Sequence, residues 1–129
     1  MKISEIKVFP VGEFIYVKIS TDRGVYGIGE ASLSGRTLAV ASALEHIAPL
    51  LIGQDATRIE FIWQDIFRGT FWRGGPVLQS ALAGIDIALW DLAGKALGVP
   101  TYRLLGGAAR DKVLAYRHVY APTPEELGE

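Results

Sequence analysis

At 129 residues, half of them hydrophobic, the chain has the length of a single domain and enough apolar side chains to bury a sizeable core. Thirteen basic and 14 acidic residues leave a net charge of −1 with the signs interspersed, which argues against nucleic acid or another polyanion as a partner. Without cysteine there is no disulfide framework or thiolate metal site; the start MKISEIKVFP lacks a signal-peptide core and no apolar run approaches the roughly 20 residues of a membrane span, so a cytoplasmic protein with no membrane partner is expected.

Ile3, Ile6 and Val8, then Phe14, Tyr16, Val17 and Ile19, form two β-rich segments broken by Pro10-Val11-Gly12. Thr21-Asp22-Arg23-Gly24 places aspartate and glycine where a tight hairpin uses them, and Val25 to Glu30 returns as a third strand. The pattern is an antiparallel meander. Gly27-x-Gly29 suggests a dinucleotide-binding loop, but Ser32 occupies the third glycine position and a hairpin precedes the motif, so that reading is rejected.

Ala31 to Thr37 is a small polar loop of the kind that carries binding groups between rigid elements. Ser34 or Thr37 can equally cap the next helix, whose stripe reads Leu38, Ala41, Leu44, Ile47 and Leu51, with Pro49 and Gly53 near its end. His46 falls on the solvated side of that helix. Thr57-x-x-Glu60 has the form of a capping box before a second apolar face, Ile59, Ile62, Trp63, Ile66 and Phe67, closed by Gly69, with Trp63 expected in the core. Phe71, Trp72 and Arg73 then sit in a glycine-rich connection before Pro76, the first position of a long helix. Residue chemistry leaves three roles open for Arg73: binding a carboxylate, stacking on Trp72 or holding a helix carbonyl.

In the long helix Leu82, Ile85, Leu89, Leu92 and Ala96 make one stripe. Ala81, Gly84, Ala88 and Gly94 put small residues beside it, which allows close approach although each helical glycine costs about 1 kcal/mol against alanine. Asp91 and Lys95 form an i,i+4 pair, Gly98 and Pro100 stop the helix, and Thr101 can cap one further turn ended by Gly106-Gly107. Val113 to Tyr120 alternate as another strand, and Thr123-Pro124-Glu125-Glu126 announces a helix. A strand followed by an interrupted helix is the first βα unit of something larger, so a truncated chain is expected.

The run AGIDIALWDLAGKALGVPTYRLLGG, residues 83–107, resembles the signature segment of the mandelate racemase and muconate lactonizing enzyme group of the enolase superfamily. The resemblance is long and gapless, with acids, a tryptophan and punctuating glycines and proline all in place. It implies an α+β fold: residues 1–111 as a capping domain of a three-stranded meander and a helical bundle, and residues 112–129 as the first strand and helix start of a (β/α) barrel that is otherwise absent. In that family the chemistry sits at the barrel's strand ends, where a proton beside a carboxylate is removed and a Mg2+ ion, held by three barrel carboxylates, stabilises the enediolate. None of those catalytic or metal-binding residues falls within this chain.

The family's two specificity loops match the neighbourhoods of Ser32 to Arg36 and Thr70 to Gly75, which makes Ser34, Trp72 and Arg73 expected substrate-binding residues. The elements GEASLSGR, LIGQDATRIE, IWQD and FWRGGP are similar to sugar-acid dehydratases of the mannonate and galactonate type. His118 in LAYRHV matches a substrate-contacting histidine of the mannonate dehydratase-like members; by residue type alone it can equally be a surface or core histidine. Those members carry asparagine where Ser34 stands, and the residue before their histidine differs from Arg117. The resemblance therefore implies the capping part of a Mg-dependent, homo-oligomeric dehydratase acting on a small sugar acid, inactive without its barrel. A racemase or cycloisomerase of the same superfamily, or a complete non-catalytic binding or assembly domain, are the alternatives.

Overall fold

The structure, a computed structural model, describes residues 1–116 and 123. Strands β1 (Ile3–Val11), β2 (Phe14–Thr21) and β3 (Tyr26–Glu30) form one antiparallel sheet in the order β1-β2-β3. Four helices follow: α1 (Thr37–Leu51), α2 (Ile59–Arg68), α3 (Pro76–Leu97) and the single turn α4 (Thr101–Leu104). The strict alternation of β2 turns Ile15, Val17, Ile19 and Thr21 to the helices and buries them, while Phe14, Tyr16 and Lys18 face away. The helices cover one face only. On the other, Phe9, Val11, Phe14 and Ile28 stay exposed.

The core is built around α3 lying on β3. A Cβ placed on Gly27 would overlap the Ala88 carbonyl, one on Gly29 the Gly84 carbonyl, and one on Gly84 the Cβ of Ala31. Helix and strand thus meet backbone to backbone. The Gly27-x-Gly29 pair is a packing device, and the small residues of α3 are its counterpart. Asp91 adds a polar clasp, since its carboxylate accepts the Ile28 N–H at 2.8 Å on the free edge of β3 and also pairs with Lys95. By length and hydropathy α3 is also apolar enough to cross a membrane, contrary to the expectation from sequence; its buried face, Ala81, Leu82, Ile85, Ala88, Leu89 and Leu92, makes it the core helix of this domain.

Several local expectations are corrected. Leu38 is exposed and Val40 joins the α1 stripe instead; at 3.6 residues per turn Leu38 lies about 120° from Leu44. Ala96 is exposed because it lies one turn beyond Leu92, where the close contact between α3 and Gly27 of β3 ends. Neither Ser34 nor Thr37 caps α1, whose N-cap is Arg36, and Thr101 begins α4 without capping it. The capping box does not form: α2 starts at Ile59, Glu60 accepts from Gln64, and Thr57 gives its N–H and hydroxyl to Asp55 at 3.1 and 2.9 Å. Those bonds, the backbone one foremost, hold the Asp55 carboxyl below its ordinary range. Trp63 is half-buried, stacked on Phe67 at 5.0 Å. Val113 to Tyr116 form no strand, consistent with a segment that has no neighbouring strand to pair with among the described residues.

At the α2–α3 contact Asp86 is half-buried. Burial raises its pKa first, the charge of Glu60 raises it further, and a hydrogen bond from Trp90 pulls the other way. A carboxyl raised in the folded state binds more protons there than in the unfolded chain, so its contribution to stability falls as pH rises from the unfolded pKa through the folded one. Asp86→Asn, which keeps an acceptor for Trp90, should raise the melting temperature near neutral pH and narrow the gap to wild type at acid pH; thermal scans across pH 3–8 measure this, and a variant less stable than wild type at pH 7 would refute it. Gly29→Ala should destabilise the domain by about 3 kcal/mol, the upper range for overpacking, because only backbone can yield. Gly12→Ala meets no atom within 4 Å and suffers from its φ of +60° alone, so it should lose about 1 kcal/mol. Urea unfolding of the two variants separates the effects.

Candidate functional site

β3 runs antiparallel to α3: Gly27 meets Ala88 and Leu92, Gly29 meets Gly84, and Ala31 meets Gly84 from the other side. The chain leaving β3 and the chain entering α3 therefore lie at the same end of the domain. From Gly84 back to Pro76 is eight residues, about 12 Å of helix. Loop 31–36 leaves the sheet at this end, and loop 69–75 enters α3 beyond it, over the last turns of α1.

The first loop has a fixed stem and a free tip. Ala31 donates to the Ile15 carbonyl at 2.9 Å, and the Ile15 N–H donates to the Ser32 hydroxyl at 3.0 Å. Leu33 packs against the core and its carbonyl accepts the Arg36 N–H at 3.0 Å. Between these anchors Ser34 is exposed beside Gly35, whose φ of +68° suits glycine.

The second loop is tied to itself. The Thr70 hydroxyl donates to the Trp72 carbonyl at 2.9 Å and Arg73 Nε to the Thr70 carbonyl at 3.5 Å. Gly74 and Gly75, at φ of +78° and +82°, turn the chain into α3. Phe71 and Trp72 meet edge to face at 5.2 Å, yet Trp72 is 80% exposed. Of the three roles open to Arg73, a carbonyl contact is present, though to the loop rather than to a helix end. Arg73 does not stack on Trp72, and its Nη atoms have no partner among the described residues. Beneath this loop lies a cleft of about 380 Å³ with Leu50, Phe67 and Leu82 as an apolar floor and His46, Gln79 and Arg73 at its polar side. A guanidinium of this kind can take a carboxylate in a two-pronged bond, and the exposed indole face of Trp72 can cover an apolar face of the ligand.

Ser34 stands at the tip of the first loop, Trp72 and Arg73 line the cleft under the second, which Ser34 does not line, and His118 lies outside the described residues. Sequence reasoning missed Phe71 as the support of Trp72, the Thr70 hydroxyl as the loop's latch and Ser32 as a stem anchor. A hydroxyl two residues past the end of a strand or a helix was the available signal for Ser32 and Thr70. Among the described residues no group of three or more His, Cys, Asp or Glu could hold a metal ion, so these residues do not fit a magnesium site.

A three-stranded meander with helices packed on one face defines an α+β domain. The sequence matches the family "Mandelate racemase / muconate lactonizing enzyme, N-terminal domain" over residues 6–106. It is 51% identical to a D-mannonate dehydratase of Sphingomonas sp. (strain SKA58), covering 97% of this chain and 32% of that protein. It is 49% identical to a D-galactonate dehydratase of Pectobacterium atrosepticum, covering 98% and 34%. A crystal structure described as an enolase from Pantoea ananatis with bound D-gluconate and Mg superposes with a TM-score of 0.81 at 46% identity, over 85% of this chain and 28% of that one. The chain belongs to the mandelate racemase and muconate lactonizing enzyme family of the enolase superfamily, as its N-terminal domain. It spans about a third of the length of the curated relatives it matches.

Thr70→Val should remove the loop's latch without touching the core. Chymotrypsin and trypsin should then cut at Phe71, Trp72 and Arg73 several-fold faster, with the melting temperature unchanged. Equal cleavage rates in variant and wild type would dismiss the latch.

Proposed function

We propose that the chain is the capping, specificity-determining part of a Mg-dependent acid-sugar dehydratase, which converts an aldonate to a 2-keto-3-deoxy acid by removing the proton beside the carboxylate. The observation that carries this reading is the second loop, where the Arg73 Nη atoms have no partner among the described residues beside the exposed Trp72, over a cleft of about 380 Å³. It is supported by relatives named for mannonate and galactonate dehydration and by a similar structure holding D-gluconate and Mg.

In this reading the chain's own residues bind, orient and exclude water. Arg73 pairs with the substrate carboxylate, Ser34 bonds a sugar hydroxyl, and Trp72, backed by Phe71, closes over the substrate. Residues 1–111 serve as the cap, residues 112–129 belong to the barrel, and His118 is assigned to substrate binding. When bound, magnesium would supply positive charge against that developing on the carboxylate oxygens; its ligands, with the acid and base, would be barrel residues and not the described residues. The complete enzyme is a cytoplasmic homo-oligomer.

The 129-residue chain alone should dehydrate no aldonate, with or without magnesium, whereas the chain joined to its barrel should. In the complete enzyme Arg73→Ala should raise KM about 100-fold, the value of a charge-assisted pair lost. A coupled assay for 2-keto-3-deoxy acids reads both. Turnover by the isolated chain, or a complete enzyme that racemises or cycloisomerises acids without releasing water, would sink the proposal.

A further inference from the structure

We infer that Ser32 is a positioning residue for the loop that carries Ser34. The inference rests on the dehydratase reading for its kinetic readout and on geometry for its structural one. The β2–β3 ladder pairs Val17 with Gly29 and Tyr16 with Glu30. One step further Ile15 comes level with Ala31, and its carbonyl accepts the Ala31 N–H at 2.9 Å. In an unbroken antiparallel ladder the Ile15 N–H would be returned to the Ala31 carbonyl. It is given instead to the Ser32 hydroxyl at 3.0 Å.

A side chain therefore stands in for a strand carbonyl. This lets the chain leave the sheet at residue 31 without orphaning a main-chain donor at the fully buried Ile15. On the opposite side Gly84 of α3 meets Ala31 so closely that a Cβ would collide with it, which fixes the exit point between sheet and helix. The hydroxyl then sets the direction in which residues 33–35 depart. Ser34 stands two residues from the Ser32 anchor and two from Arg36, whose N–H is bonded to Leu33.

Without the hydroxyl the Ile15 N–H is left unpaired, or the Ala31 carbonyl turns back to complete the ladder and draws the loop toward the sheet. Either displaces Ser34. An error of about 1 Å at a substrate contact is enough to weaken productive binding.

The test compares Ser32→Ala and Ser32→Thr in the complete enzyme, barrel and magnesium present, on whichever aldonate it turns over fastest. Hydrogen exchange by mass spectrometry follows segments 12–17 and 31–37. Ser32→Ala should raise KM about tenfold with kcat within about twofold and speed exchange in both segments, while Ser32→Thr, which keeps the hydroxyl, should restore both. On a Ser34→Ala background the KM effect of Ser32→Ala should largely vanish, because it passes through Ser34. Unchanged KM in Ser32→Ala, with or without faster exchange, overturns the inference, as does an equal loss in Ser32→Thr. If Ser32→Ala does not fold, Ser32→Cys, similar in size with a weaker acceptor, is read the same way. A complete enzyme that dehydrates no aldonate overturns the functional reading instead, and exchange at segment 12–17 then decides whether the hydroxyl completes the ladder.

Discussion

The contact between the α3 backbone and the β3 backbone is the constraint on which the rest depends. Gly27, Gly29 and Gly84 remove the Cβ atoms that would hold helix and strand apart, and neighbouring alanines keep the seam narrow. Glycine in a helix and in a strand is unfavourable taken alone, by about 1 kcal/mol each. The compensation is that a 22-residue helix and a five-residue edge strand share a closely packed interface, with Ile85, Leu89 and Leu92 buried. Asp91 then satisfies the Ile28 N–H, which would otherwise be left open on that edge.

This seam fixes the position of the loops. Because β3 ends where α3 is still two turns from its start, the exit of one and the entry of the other open on the same side. Each loop is held by its own bonds: Ser32 and Leu33 anchor the first, and Thr70 with two left-handed glycines shapes the second. Groups meant to meet a ligand can vary at the tips while the stems carry the fold.

Much of this was legible in the sequence. The meander, the three long helices and the stop at Gly98 follow from alternation, apolar stripes and turn chemistry, and Gly98 sits in the left-handed conformation its position implies. Small residues beside the α3 stripe signalled close packing but not its partner, since the glycines of β3 carry no mark of what approaches them. The helix starts were misread for a different reason. Ser34, Thr37, Thr57 and Thr101 have capping chemistry, yet the entry turns of α1 and α2 use backbone bonds to Leu33 and Asp55, which leaves the hydroxyls free or bound elsewhere. Ser34, Trp72 and Arg73 reached the site through family resemblance, because exposure and proximity of separate loops are tertiary facts.

The two sheet edges show why the loop end is the natural place for function. β1 is tied at its start by Ile3 and the 53–54 turn, irregular between Ile3 and Glu5, and carries Pro10 near its far end; β3 is closed by Asp91, with Lys18 and Lys95 over the Tyr26 ring. Edges blunted in this way resist addition of another strand. The helical face is filled by the core. At the end where the sheet stops and α3 begins the chain presents the exposed Trp72, and a hydroxyl, Ser32, replaces a strand carbonyl at the point where sheet becomes loop.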